Sequence, residues 1–177
     1  GWTLDDYTLH ELDDAIAGDP GITEMVDGFI DALDAGPLAE LGTMFHEPVL
    51  HIDGDIGVNL CEESALGNFV TDAFRYALNQ YSPEDPIVAT FESQGVIRDD
   101  FVAGASGIEA FSDVFRVMPL GIGLDDVPGY GLVSFYVTPR DLKSTCEILG
   151  SIVPIEGCDY WVEPSGLRCH IDQDKSF

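Results

Sequence analysis

The sequence predicts an α/β (α+β) protein, with a mixed β-sheet flanked by helices and a separate helix at the N-terminal side. Apolar patterns typical of helices and of strands alternate along the chain without a long repeat. Hydrophobic residues make up 45% of the 177 residues and aromatic residues 10%, which favours a folded chain over an acidic disordered tail. This length suits one domain with a sizeable core, or a domain with a helical appendage.

The first predicted helix begins at Asp19-Pro20, an N-cap residue followed by proline at the first helical position. Its apolar residues share one face, and Gly36-Pro37 ends it. Residues 1–18 carry isolated apolar residues among acids, and we expect a short helix or an extended lead-in there.

Two further helices have clear caps. Ser64 can accept hydrogen bonds from the first turn of a helix that ends near Asn79-Gln80, and adjacent apolar positions in each turn form one stripe. Thr138 caps a helix predicted over residues 139–149, again with proline at its first position. Residues 108–118 are typical of a short helical segment that leads into a strand.

The strands are predicted from alternating or continuous apolar runs between turn residues. A glycine-rich turn at 121–123 separates the earlier strands from the later ones. The predicted strands are one or two within 41–56, a buried strand at 86–91, a strand at 132–137, and a final pair at 160–162 and 167–171.

The net charge of −26, with only seven basic residues, excludes several classes of partner. Such a surface repels nucleic acid and anionic membranes, and no apolar run reaches the ~20 residues of a membrane helix. The acidity has two interpretations, adaptation to a salty medium or binding of divalent cations. The acids are spread along the chain, which favours the first.

The four cysteines show no spacing typical of a zinc site. Their even number permits two disulfides in an oxidising compartment, with three possible connectivities, and free buried thiols are an equal alternative. The residues are Cys61, Cys146, Cys158 and Cys169.

No self-contained catalytic or metal motif is present. The histidines are scattered without an HxxH or HExxH spacing, at His10, His46, His51 and His170. Residues 51–55 and 172–176 partly resemble calcium loops, but both lack the turn glycine and the distal glutamate. We therefore assign no catalytic or metal-ligating residue to this chain.

Four ordered stretches nevertheless carry a specific pattern. They are EESALGNFVTDAFR (62–75), SQGVIRDD (93–100), SDVFRVMPLG (112–121) and YWVEPSGLRCHID (160–172). In this order and spacing they resemble the C-terminal domain of the secreted metal-dependent 5′-nucleotidase family. The resemblance implies that residues 1–40 are a helical linker from a missing N-terminal catalytic domain. Residues 41–177 would then be the substrate-binding domain, incomplete at its C-terminus.

The resemblance also implies roles for individual residues. In that family the N-terminal domain holds two divalent metal ions and the catalytic residues. The C-terminal domain binds the nucleotide through a loop arginine and two aromatic side chains. By position, Arg98 matches the arginine, Gly95 the glycine of its turn, and Ser93 a usual asparagine. Without a substrate role, Arg98 would simply pair with a nearby carboxylate, Asp99, Asp100 or Glu62.

Several positions depart from the family pattern. Leu120, before Gly121, stands where the family has a stacking phenylalanine, and Ile122 replaces an asparagine. Glu62 stands where a second substrate-binding arginine is usual. A leucine cannot provide a stacking face, and a glutamate repels a phosphate. The predicted substrate-binding residues are thus Arg98, Gly95, Ser93, Leu120 and Gly121.

Two functions follow from these patterns. The first is the substrate-binding portion of an extracellular or periplasmic phosphoester hydrolase, inert alone, with the missing metallophosphatase domain as its partner and a phosphoester or nucleotide as its ligand. The second is a non-catalytic surface or assembly module that keeps the fold after losing substrate residues. In that case a partner chain or the remainder of the protein completes an unpaired sheet edge.

Overall fold

The computed structural model describes residues 2–4, 6–9, 16–124 and 129–170. The chain divides into two compact units, Gly1–Phe45 and His46–Phe177. Helices and small antiparallel sheets make it a mixed α and β structure in general terms, as predicted. Among the described helices, none has the length and apolar character needed to cross a membrane.

The first unit consists of two helices, α1 (Pro20–Ala35) and α2 (Pro37–Leu41). The predicted start of α1 is confirmed, because the Asp19 carboxylate accepts hydrogen bonds from two backbone N–H groups of the first turn. Its predicted end at Gly36 is also confirmed. The described part of 1–18 forms no helix, and the rest of that segment lies outside the described residues.

The second unit contains the remaining elements in alternation. The helices and strands are β1 (Pro48–His51), α3 (Ala65–Tyr81), β2 (Thr90–Ser93), β3 (Ile108–Ala110), α4 (Phe111–Val117), α5 (Pro139–Glu156) and β4 (Val162–Ser165). A 3-10 turn follows β2 at Gln94–Val96, and another precedes β4 at Cys158–Tyr160.

The strands form two separate antiparallel pairs, and the single mixed sheet that was predicted does not form among the described residues. In one pair β1 lies against β3, with His51 opposite Ile108. In the other β2 lies against β4, with Thr90 opposite Ser165. The last described strand therefore pairs with β2, and residues 167–170 form no strand beside it as was predicted; residue 171 lies outside the described residues.

The hydrophobic core of this unit forms around α3, whose predicted start and end are confirmed. The predicted apolar stripe is buried only in part: Leu66 and Val70 are buried, the alanines of the helix and Phe69 are exposed, and the polar Thr71 is buried. Leu66 is fully buried and Phe101 is only 1% exposed. The ring of Phe69 meets the ring of Phe101 edge-on at a centroid distance of 6.1 Å. The buried core cluster is completed by Ile52, Val70, Ile97 and Val117.

The buried strand predicted at 86–91 is wrong in position. The ladder begins only at Thr90, because the backbone of Ile87 is already used by a side chain. The Asn79 amide donates to the Ile87 carbonyl at 3.1 Å and accepts from the Ile87 N–H at 2.7 Å. Pro86 has no N–H to contribute to a ladder.

Two later predictions are also corrected. Residues 132–137 form no strand, and their apolar side chains are exposed. The α5 helix continues beyond its predicted end through Gly150, which is buried, and reaches Glu156. Its start at Thr138 is as predicted, because the Thr138 hydroxyl accepts from the Asp141 N–H while the Asp141 carboxylate accepts in return.

The cysteines form two disulfides, Cys61–Cys158 and Cys146–Cys169. This selects one of the three connectivities and excludes the free-thiol alternative. The first disulfide joins the segment before α3 to the 3-10 turn before β4, 97 residues later. It therefore holds together the two chain segments that flank the turn after β2.

Candidate functional site

The turn that follows β2 carries most of the predicted site. Its 3-10 segment, Gln94–Val96, is held against the turn before β4. The Ser93 hydroxyl donates to the Asp159 carbonyl and accepts from the Gly95 N–H at 3.3 Å. A Cβ on Gly95 would lie 2.9 Å from the Asp159 carbonyl oxygen, so this position has no room for a side chain. Ser93 and Gly95 thus shape the turn.

Gln94 anchors this turn from inside the protein and is only 3% exposed. The two N–H groups of its Nε2 are shared among three acceptors, the backbone carbonyls of Asn59 and Glu62, at 2.8 and 2.7 Å, and the Glu163 carboxylate, at 2.8 Å. Its Oε1 accepts from the Cys61 N–H at 3.1 Å. One side chain therefore joins the turn to β4 and to the segment before α3.

Glu163 is the buried partner of that side chain and has no exposed surface. Its Oε1 accepts from the Ser64 N–H at 3.1 Å and the Ser64 hydroxyl at 2.9 Å, in addition to Gln94. Its Oε2 has no hydrogen-bond partner within the described residues. A Cβ on Gly67 would come within 2.2 Å of the Glu163 side chain, so glycine is what lets α3 approach β4 here.

Arg98 ends the turn and is exposed. Its backbone N–H donates to the Val117 carbonyl at 2.8 Å, which holds it beside the end of α4. Within the described part of the chain, its guanidinium forms no ion pair with Asp99, Asp100 or Glu62. In a protein of net charge −26, this leaves an arginine side chain available to an anion.

The acids next to Arg98 have other partners. Asp99 pairs with Arg116, and the Asp100 carboxylate accepts from the Val58 N–H at 3.2 Å. A hydrogen bond from the Asp100 N–H, reinforced by the Arg116 guanidinium, lowers the pKa of Asp99 below its ordinary value. The charge of Asp99 is therefore neutralised by Arg116 and not by Arg98.

Leu120 and Gly121 follow shortly after the carbonyl of Val117 to which Arg98 is bonded. Leu120 is half-buried, and Gly121 has a positive φ of 72°, a backbone conformation that glycine adopts without strain. The Gly121 carbonyl accepts from the Gly129 N–H at 2.7 Å. The side chain of Ile122 is 67% exposed. We call the exposed Arg98 and Gly121, together with the half-buried Leu120, the Arg98 surface.

The site includes residues that the sequence did not single out. Gln94 lies within the quoted stretch SQGVIRDD, and Glu163 within YWVEPSGLRCHID. A charged residue inside an otherwise apolar run is the one signal for Glu163. Its pairing with Gln94, 69 residues away, has no local signature.

The described residues contain no group of three or more His, Cys, Asp or Glu side chains arranged to hold a metal ion. We therefore derive no metal-dependent step from these residues. No known protein family model matches the chain, and no curated protein matches it either. The assignment of function consequently depends on the quoted motifs and on the geometry around Arg98.

Proposed function

We propose that this chain is the substrate-binding portion of a secreted, metal-dependent phosphoester hydrolase similar to the 5′-nucleotidases. The observation that carries the proposal is the exposed guanidinium of Arg98, which has no carboxylate partner among the described residues. By the resemblance of SQGVIRDD to the 5′-nucleotidase pattern, Arg98 also stands at the position of that family's nucleotide-binding arginine.

The chemistry of Arg98 fits a phosphate or phosphoester. A guanidinium presents a planar fork of donors that matches two oxygens of a phosphate, and it stays charged at every physiological pH. The surrounding chain is strongly acidic and repels an anion at long range, so binding depends on this local fork. We therefore expect modest affinity and strong dependence on salt.

In the whole enzyme, two divalent metal ions in another domain would activate the attacking water. The role of the present chain is to hold the organic part of the substrate so that the phosphorus faces that water. Holding the substrate in one orientation lowers the entropic part of the barrier. The turn at 93–98 and the loop at 119–123 are the segments that would face the substrate.

The disulfides support an extracellular or periplasmic location. Cys61–Cys158 and Cys146–Cys169 are structural bonds of the kind that persist in oxidising compartments. A secreted hydrolase of phosphoesters would function there.

The proposal is tested by measuring the affinity of the chain for adenosine monophosphate, inorganic phosphate and adenosine. We expect the monophosphate to bind, and Arg98→Ala to weaken it at least about tenfold, roughly 1.4 kcal/mol. Arg140→Ala is the matched control, because Arg140 is also exposed and forms no ion pair among the described residues. Equal affinity in the Arg98→Ala variant and the unmodified chain would contradict the proposal.

A second function is favoured by a different observation. Residues 132–137 have the composition of a strand, yet Val133 is 83% exposed, Phe135 75% and Tyr136 87%. Leu120 and Ile122 add no aromatic face to the Arg98 surface. A non-catalytic module that pairs this segment with a partner strand would explain both features. In that case no phosphoester would bind, and Arg98→Ala would leave association with the partner unchanged.

A further inference from the structure

Glu163 is a buried carboxylate to which the proposed function gives no role. It is fully buried, and one of its oxygens accepts three hydrogen bonds. Burying a charge in this way is costly unless the hydrogen bonds compensate. A carboxylate at this position is therefore expected to do more than fill space.

The hydrogen bonds of Glu163 lead directly to the turn that carries Arg98. The Gln94 amide connects the carboxylate to the start of the 3-10 turn, and the Gln94 N–H donates to the Trp161 carbonyl at 2.8 Å. The Gln94 carbonyl then accepts from the Ile97 N–H at 3.0 Å, the residue immediately before Arg98. Each step is a single hydrogen bond between buried or half-buried groups.

We propose that Glu163 is a positioning residue, which acts through Gln94 to hold the turn in the conformation that presents Arg98 to an anion. This inference rests on the proposed function of the Arg98 surface. The carboxylate itself does not touch the ligand. Its effect on binding therefore passes entirely through the placement of Arg98.

The same strand offers a matched control. Ser165 is 4% exposed and also binds α3, since its hydroxyl accepts from Arg75 Nε at 2.7 Å and donates to the Asp72 carboxylate. It makes no hydrogen bond to Gln94. Ser165→Ala thus removes a buried polar contact between β4 and α3 without touching the turn.

The first experiment compares adenosine monophosphate affinity in five variants of the full chain. Glu163→Gln retains Oε1, the oxygen that accepts from Gln94 and Ser64, so we expect affinity within about twofold of the unmodified chain. Glu163→Ala should weaken binding about tenfold, and Ser165→Ala should not. Combining Glu163→Ala with Arg98→Ala should give no loss beyond that of Arg98→Ala alone.

The second measurement needs no ligand. In Glu163→Ala we expect amide hydrogen exchange at Gly95 and Arg98 to rise at least about tenfold, with unchanged exchange in the Glu163→Gln and Ser165→Ala variants. A Trp2→Phe background leaves Trp161 as the single tryptophan, whose emission reports the surroundings of the turn. If Glu163→Ala does not fold, Gln94→Ala breaks the same connection from the other side and carries the same expectations.

The outcomes separate the two proposals. One outcome is that amide hydrogen exchange is faster in Glu163→Ala while the unmodified chain binds no monophosphate. That result would overturn both the proposed function and the binding role of Glu163, and would leave Glu163 with a structural role. Binding that depends on Arg98, with unchanged affinity and exchange in Glu163→Ala, would overturn the positioning role alone. The positioning role would also be overturned if Ser165→Ala lost as much affinity as Glu163→Ala. The same conclusion would follow if the double variant lost more affinity than Arg98→Ala alone.

Discussion

At the scale of single residues, two buried glutamates contrast in how well their charge is compensated. Glu163 accepts three hydrogen bonds through one oxygen. Glu109 is 3% exposed, and its Oε1 has no partner within the described residues. Burial, with a smaller contribution from the negative charge of Asp113, raises the pKa of Glu109. Ionised Glu109 therefore destabilises the folded state.

This contrast predicts the effect of Glu109→Gln. The folded pKa lies above the unfolded value, so the folded state binds the proton more tightly and stability falls as pH rises between the two values. We expect the variant to melt about 2 °C higher than the unmodified chain at pH 7 and to show no gain below about pH 4. The measurement is thermal unfolding followed by circular dichroism at both pH values.

Glu84→Gln is the control for this prediction, because Glu84 is exposed and forms no ion pair among the described residues. It should change the melting temperature little at either pH. A gain for Glu109→Gln that is equally large at both pH values would show that ionisation of Glu109 is not the cause.

The candidate site was partly predictable from single residues. Arg98 and Gly95 were indicated by the resemblance of SQGVIRDD to the 5′-nucleotidase pattern, which falls within one short stretch. The sequence could not predict that Asp99 pairs with Arg116, 17 residues away, and thereby leaves Arg98 without a carboxylate partner among the described residues. The same is true of the hydrogen bond between Glu163 and Gln94.

At the scale of elements, helices were predicted better than strands. The starts of α1, α3 and α5 are determined by local N-cap residues, which are Asp19, Ser64 and Thr138. A strand depends on a partner, and the composition of residues 132–137 cannot say whether one lies beside them. At Ile87, a residue of a predicted strand, the Asn79 side chain forms hydrogen bonds with both the backbone N–H and the carbonyl, which are then not available to a neighbouring strand.

The close packing of α3 on β4 predicts opposite effects for two helical glycines. A Cβ at Gly67 would lie 2.2 Å from the buried Glu163 side chain, whereas a Cβ at Gly28 in α1 meets nothing within 4 Å. We expect Gly67→Ala to lower the free energy of unfolding by about 1–3 kcal/mol. Gly28→Ala should raise the stability of its helix by about 0.5–1 kcal/mol.

Urea unfolding in the Trp2→Phe background measures both effects, with Trp161 emission following the second unit and circular dichroism following the helices. If Gly67→Ala proved as stable as the unmodified chain, the packing of α3 against Glu163 would be looser than the structure shows. The positioning role of Glu163 would then lose its structural basis.

At the scale of the whole molecule, the net charge of −26 dominates. Mutual repulsion of the carboxylates destabilises the compact state, and salt screens it as the Debye length falls from about 10 Å at 0.1 M to about 3 Å at 1 M. We therefore expect the urea midpoint to rise between these concentrations of sodium chloride.

Calcium chloride at equal ionic strength distinguishes the two interpretations of the acidity. Among the described residues no group of carboxylates is arranged to hold a metal ion, so we expect calcium to stabilise no more than sodium does. Additional stabilisation at millimolar calcium would favour cation binding over adaptation to salt.

The central claim is that this chain is the substrate-binding part of a larger metal-dependent hydrolase. Intact-mass and peptide-mapping analysis of the protein from its native source tests that claim most directly. We predict covalently attached sequence upstream of Gly1 that carries metal-binding motifs of the type D-x-H and G-N-H-[ED]. A native polypeptide bounded by Gly1 and Phe177 would contradict the claim and favour the assembly module.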